Sequence, residues 1–412
     1  MLSIIINGES VDEKDQAALA EAYAAGSKPI CSCVSEGIPL TIAKKNQLFF
    51  IRRLPKSGHL HHLGCPRYEM PAVLSGRGEL QESAIKVQDD DSSVLSIDFK
   101  MAVKDKKMVK KEKESSEASE GTATVEASKK ALTLKATLDF LYETAELTHW
   151  TNDMHRQRSW ASVKKAIISA AGATHAKGHS LSDVLYMPEP YNADKREEQQ
   201  EQFDRYIHKM AQRDRGEQLL GLIIAPVKIF PEEEDEGHMV FTHMPDVNIL
   251  VDKSMVKRVY KSYEEPLALS MERPDEFKLL AIAHIHVTMA ENISLLNLGF
   301  ISLDSRWLPS KSMSERLLLN HLVKEQLPFR CCLTYNRPIG ADTIMASVVY
   351  EKAGVNNAVI VPTDTSSLDY LDNVENTVKD ADLPFEVWSR FQKQCLSIDE
   401  YVVEEKKALE DD

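Results

Sequence analysis

Half of the chain's six cysteines fall in the stretch from Cys31 to Cys65, CSCVSEGIPLTIAKKNQLFFIRRLPKSGHLHHLGC, together with His59, His61 and His62. A metal bound there would tie two distant points of the chain, so no other feature restricts the fold as strongly. Structural zinc takes four thiolate or imidazole ligands in a tetrahedron, usually supplied as two close pairs from separate turns. Cys31-Ser-Cys33 is one pair and His62-Leu-Gly-Cys65 the other, with His61 as the alternative to His62 and His59 as a bystander. Between the pairs, IPLTIAKKNQLFFIRRLP holds two apolar runs around the polar turn KKNQ, a β-hairpin that would fold the pairs together. Cys-x-Cys is tighter than the common Cys-x-x-Cys, so spacing alone is a weaker signal. The competing account, core cysteines beside a solvated histidine loop, leaves a small module of low apolar content without a staple. Four protein ligands leave no position for water, which gives the expected Zn2+ a structural role.

The chain has 412 residues, enough for two or three domains, and its 43% hydrophobic and 28% charged residues suit a globular protein with a real core. A net charge of −14 argues against a surface that grips a polyanion all over, while allowing a local basic patch. No run approaches the roughly 18 apolar residues that span a bilayer. The start, MLSIIINGESVDEKDQ, lacks a basic region and turns acidic too soon for a signal peptide. The expected location is therefore cytoplasmic, where clustered cysteines serve as metal ligands or thiols more often than as disulfides.

Composition shifts divide the chain into an N-terminal module over 1–103, with the hairpin at 31–65, and a linker over 104–131. That linker, KDKKMVKKEKESSEASEGTATVEASKK and its flanks, has no aromatic residue and too little apolar surface to offset its ordering entropy. Its lysines are mixed with glutamates, which weakens its reading as a basic arm for nucleic acid. Helical periodicity dominates 132–215. Over 216–310 short apolar runs, QLLGLIIAPVKIF, HMVFTHM, VNILVD and FKLLAIAHIHVTM, read as strands, with one helix near Ser254 to Tyr263. Residues 311–394 read as helix, three strands, helix and strand, and 395–412 as a frayed acidic tail. The expected class is thus α+β: a small zinc-stapled hairpin module, a helical middle and a C-terminal mixed sheet with helices.

That C-terminal order is also the core order of the restriction-endonuclease-like fold, which gathers acids from its first helix and second strand, and a Glu-x-Lys from its third strand, around magnesium. Glu315 on the helix and Asp342 at the second strand are the candidates. The third strand reads Ala-Val-Ile-Val-Pro, however, so the Glu-x-Lys is absent, and Glu351-Lys352 sits at the wrong place to replace it. A metal-dependent nuclease using a degenerate core is the alternative, enzymatic reading. His284 and His286 share one strand face and would need His238 or His243 to complete a metal site, so partly buried, hydrogen-bonded histidines are the plainer account. Cys331 and Cys332 are adjacent and point to opposite strand faces. Trp150, Trp160, Trp307 and Trp388 read as core anchors rather than base-stacking platforms. Neither G-x-x-x-x-G-K-[ST] nor G-x-G-x-x-G occurs.

The Cys31-x-Cys33 pair, the Arg-Leu-Pro-x-x-Gly-His run at 53–59 and the closing His-x-x-Cys-Pro-x-Tyr-Glu at 62–69 resemble the bacterial family called domain of unknown function 1173. The likeness continues in RSWASVKKAIISAA, LYMPEPY, GHMVFTHMPD, DSRWLPS and LPFRCCLTYNRP, and so covers most of the chain. The resemblance implies three N-terminal cysteines and a setting on plasmids and integrative elements, and no activity. The expected role is a zinc-binding accessory protein that binds nucleic acid or a protein partner and has no membrane contact. Its contact surface would be Lys44, Lys45, Arg52, Arg53 and Lys56, which crowd the hairpin while the rest of the chain is acidic.

Overall fold

The apolar runs after Gln218 pair into a central sheet whose inner strands are long enough to bury both faces. Phe277–Val287 and Ile293–Asp304 run antiparallel over their whole lengths. Phe277–Val287 also pairs with Gly221–Ile229, and the sheet continues through Gly237–Phe241 to Met244–Val251. Successive side chains of a strand point to opposite faces. Leu280 and Ile282 accordingly enter one core while Leu279, Ala281, Ala283 and Ile285 enter another. Helices Leu134–Thr144 and Trp160–Gly172 cover the first face. Helices Arg196–Ala211 and Lys253–Glu272 cover the second.

The computed structural model describes residues 4–45, 48–54, 57–70, 76–81, 83–88, 92–104, 131–151, 158–214, 216–233, 235–337, 345–362, 373, 384–389, 393–397 and 399–403. All but the end residues of the expected linker, and all but Asn373 of the helix expected over SLDYLDNVENTVKD, fall outside these residues. Tyr401, in the expected tail, is buried.

The helices start where the sequence supplies an acceptor for the free N–H groups of a first turn. Thr133 accepts from Ala136 N, Ser159 and Ser162 form a capping box, and Asp252 accepts from Ser254 N and Met255 N. The helix expected near Ser254 to Tyr263 extends to Glu272, with a break in helical geometry at Tyr263 just ahead of Pro266. Proline lacks the N–H that would continue the ladder, so the helix bends there. Ile293–Asp304 was not expected as a strand. Its first half alternates half-buried and exposed residues and its second half is buried on both faces, so no single period runs through it.

In the C-terminal module, helix Met313–Lys324 precedes an antiparallel meander of Phe329–Cys331, Val348–Lys352 and Val355–Ile360. Phe385–Ser389 then pairs parallel with Val355–Ile360. His149–Trp150, from the expected helical segment, adds a strand to the opposite edge of this sheet. The expected mixture of helices and sheets is therefore present, and all four tryptophans are buried.

At the N-terminus, Glu9–Val11, Ile4–Ile6, Ile30–Cys31 and the hairpin Ile38–Lys45 with Leu48–Arg53 form one sheet in that order. The hairpin matches the expectation, with Leu40 opposite Arg53 and Lys45 opposite Leu48. Helix Gln16–Ala24 is held to it by the Gln16 amide, which donates to Phe49 O at 3.0 Å and accepts from Phe49 N at 2.8 Å.

Because Ile282 is fully buried in the sheet's central strand, Ile282→Ala should leave a cavity and cost about 3 kcal/mol. Denaturant unfolding followed by circular dichroism should show the lowered midpoint, while the exposed Leu250→Ala should move it little.

Candidate metal centre

The N-terminal sheet presents Cys31 at the end of a two-residue strand, facing Ile4 on one side and Ile38 on the other. The chain then turns through Cys33, and the Val34–Gly37 reversal, closed by Gly37 N donating to Val34 O at 3.0 Å, returns it to the hairpin. Gly37 has φ of +70°, a left-handed conformation that glycine adopts without strain. After the hairpin a short 3-10 turn, Gly58–Leu60, leads into His61, and a further turn brings in Cys65, whose N–H donates to His62 O at 2.8 Å.

Cys31, Cys33, His61 and Cys65 converge, with all four candidate ligand atoms within 4.8 Å of one another. Cys31 Sγ lies 3.7 Å from Cys65 Sγ, Cys33 Sγ 3.2 Å from His61 Nδ1, and Cys65 Sγ 3.7 Å from the same nitrogen. A tetrahedral ion with metal–sulfur bonds of about 2.3 Å needs edges of roughly 3.5–3.8 Å, so the donors already stand near the corners of such a site. Two backbone amides face the sulfurs: His62 N donates to Cys33 Sγ at 3.4 Å and Arg67 N to Cys65 Sγ at 3.5 Å. Donors of this kind stabilise thiolate charge around a metal.

The imidazole that joins the three cysteines is that of His61, the alternative, and not that of His62. Neighbouring residues on a tight turn project in different directions, and only His61 turns inward, where it is fully buried. His62 Nε2 instead pairs with the Glu351 carboxylate, and its Nδ1 accepts from Gly64 N at 3.0 Å. His59 stays half-buried outside the cluster. Burial, with Arg67 and Arg53 adding repulsion, pushes His61 down to about 4, so its imidazole is neutral and able to ligate at pH 7. Burial pushes Cys65 up to about 12 and raises Cys33 as well.

The loop that carries His61 and Cys65 is also a docking element. Leu63 is fully buried beside Tyr68 and against Cys332, Val349 and Ala358 of the C-terminal module. Arg330 donates from Nε to Leu63 O at 3.0 Å, pairs with Glu146 at 2.8 Å and lies over the Tyr68 ring. These partners were not anticipated. The available signal was an arginine inside the apolar run LPFRCC, a charge that must be paired where it is buried.

The other expected sites fare differently. Glu315 is buried as the third residue of its helix and completes the start of that helix. Its N–H donates to Ser312 Oγ, and its carboxylate accepts from Lys311 N at 2.6 Å and Ser347 Oγ at 2.9 Å. Asp342 lies outside the described residues. His284 is buried against Phe99, His286 Nε2 meets Gln218 Oε1 at 3.4 Å, and His243 stacks on Trp160, so these histidines do not converge. Cys331 and Cys332 enter different cores, as adjacent strand residues must. Of the basic set, Arg53 pairs with Glu69, Arg52 donates to Gln88 O at 2.8 Å, and Lys44 is exposed with its amine over the Phe49 ring. Lys45 ends its strand, and Lys56 lies outside the described residues.

A family model described as a protein of unknown function, DUF1173, matches residues 6–390, and the chain belongs to that family. No curated protein and no solved structure matches it. Among the described residues, no helix is long and apolar enough to cross a membrane.

The two histidines separate cleanly by experiment: His61→Ala should strip bound metal from the purified protein, whereas His62→Ala should keep it near the wild-type level, as read by plasma mass spectrometry. Since Cys33 and Cys65 hold their protons at neutral pH without an ion, loading should release about two protons or more per ion. Affinity should therefore rise with pH and fall as the solution is acidified, which indicator-dye titration at two pH values would measure.

Proposed function

We propose that the chain is a zinc-stapled accessory protein that acts by binding, and that Cys31, Cys33, His61 and Cys65 hold a structural Zn2+. The observation that carries this reading is the convergence of four protein donors, three sulfurs and one imidazole, from two separate turns. Soft thiolates with imidazole suit zinc, whereas magnesium and calcium take oxygen ligands. A set closed by four protein ligands fits a structural ion rather than a catalytic one. The N-terminal core supports the same view, because among the described residues its nine buried members include two of the cysteines and are few for a self-sufficient module.

The partner in this proposal is a nucleic acid or a protein met at the hairpin. Lys44 and Arg52 sit on its strands, beside Lys45, in a chain whose net charge is −14. A local cationic face on an acidic protein is where a polyanion would be drawn in. Arg53 is committed to Glu69 and so contributes less than the sequence suggests. The setting we propose is the bacterial cytoplasm, on plasmids and integrative elements, as the family resemblance implies. The nuclease reading gains no support from Glu315, whose carboxylate is taken up by helix capping and by Ser347.

Purified wild-type protein should carry close to one zinc per chain, and the Cys31→Ser, Cys33→Ser pair should carry almost none. Protein free of metal after preparation without chelators would overturn the zinc assignment. With zinc in place, Lys44→Glu, Arg52→Glu should weaken nucleic-acid retention at low salt by about tenfold or more; unchanged retention would favour a protein partner.

A further inference from the structure

Helix Leu134–Thr144, the kinked part of helix Lys253–Glu272, strand Ile293–Asp304 and the turns at Pro309 and Thr334 enclose a pocket between the two cores that flank the central sheet. Its apolar walls are Tyr263, Pro266, Phe300 and Pro309. The break in the helix at Tyr263, forced ahead of Pro266, shapes one of these walls. Two ammonium groups reach the same space. Lys135 contacts the Asp139 carboxylate and Thr334 Oγ1, and Lys311 stands 3.2 Å from Glu315 Oε1.

The polar groups here are not all satisfied within the chain. Asp139 is fully buried, and its Oδ2 accepts from Lys135 and from Tyr335 N at 2.8 Å, but its Oδ1 has no partner. Ser302, also buried and lining the pocket, has no partner for its hydroxyl. A buried acceptor left unpaired is destabilising, and a bound donor recovers that loss. Burial pushes the Lys135 amine below its ordinary value against the pull of Asp139, and Lys311 adds repulsion. Lys135 and Lys311 line the same pocket, so one anion can meet both beside the carboxylates of Asp139 and Glu315 to which they are already paired. The enclosed free space is about 30 Å³, room for roughly two waters or for a small molecule of about that size.

We propose that this pocket binds the acid end of a small carboxylate that carries a hydroxyl or amino group beside it. Lys135 and Lys311 meet the two carboxylate oxygens. The neighbouring hydroxyl or amine donates to Asp139 Oδ1 and engages Ser302 Oγ, and the body of the ligand leaves along the Lys311 side, where the lysine is 29% exposed. This site is separate from the cysteine cluster and stands whether or not that cluster holds zinc.

The test is calorimetric titration of the full-length protein at pH 7 with glycolate, glycine, acetate and inorganic phosphate. Glycolate or glycine should bind saturably at one site per chain, about tenfold tighter than acetate, since the added donor is worth roughly 1.4 kcal/mol. Lys311→Gln should weaken that binding by about tenfold or more. Should this variant not fold, Ser302→Ala decides, because it removes only an unpartnered hydroxyl; it should erase much of the preference for glycolate over acetate. Absence of saturable binding by any of the carboxylates overturns the proposal, as waters would then fill the space. Binding that both variants leave unchanged, or that phosphate matches equally, overturns it too.

Discussion

Strand Phe277–Val287 has no solvated face, and that constraint organises most of the molecule. Its side chains from Leu279 to Ala283 alternate between two clusters built by different helices, and only Lys278 and His286 are half-buried rather than buried. Its hydrogen-bonding groups are satisfied on both edges by Gly221–Ile229 and Ile293–Asp304, so the backbone can be buried without cost from unpaired amides. The helices before and after the sheet in sequence then have defined faces to cover. The C-terminal sheet is joined to this frame by His149–Trp150, whose pairing with Phe329–Cys331 carries the chain from one unit into the other.

The N-terminal module depends on that frame in a less direct way. Its own core is small, and the loop that supplies His61 and Cys65 also supplies Leu63 and Tyr68 to a cluster shared with the C-terminal sheet. Arg330 clamps this loop by its carbonyl at Leu63, and His62 is spent on Glu351. One short segment therefore faces two ways, His61 and Cys65 turning to the cysteine cluster and Leu63 and Tyr68 to the docking surface. A staple at Cys31, Cys33, His61 and Cys65 would fix both at once, because the turn cannot release its ligands without moving Leu63. This linkage gives a physical reason why His62, adjacent to the inward histidine, is unavailable to the cluster.

Buried charge is concentrated where the units meet. Lys135, Asp139, Lys311 and Glu315 come from a helix of the middle segment and from the start of the C-terminal helix, and each is paired with an opposite charge. Paired charges of this kind are costly to bury and costlier to leave alone, so they restrict how the units can be arranged. The unpaired Asp139 Oδ1 and Ser302 Oγ stand out against this otherwise matched set.

What the sequence determined by itself was local and periodic. The hairpin around KKNQ, the strands of Gln218 to Met289, the capped helices and the opposite facing of Cys331 and Cys332 all follow from alternation, caps and turn residues within a few positions of one another. The three cysteines and a histidine were legible as a ligand set for the same reason, since residue type and spacing carry that chemistry. The choice of His61 over His62 belonged to tertiary structure, because it turns on which neighbour meets Glu351 from a strand nearly three hundred residues away. So did the role of Glu315, whose partners Ser312, Lys311 and Ser347 convert an apparent catalytic acid into a helix cap with a buried hydrogen bond. Ile293–Asp304 escaped notice because half of it is buried on both faces, and the pocket at Lys135 escaped because its walls come from five separate stretches. Interactions set by chain-distant contacts leave no period in the sequence, and only the packed molecule decides them.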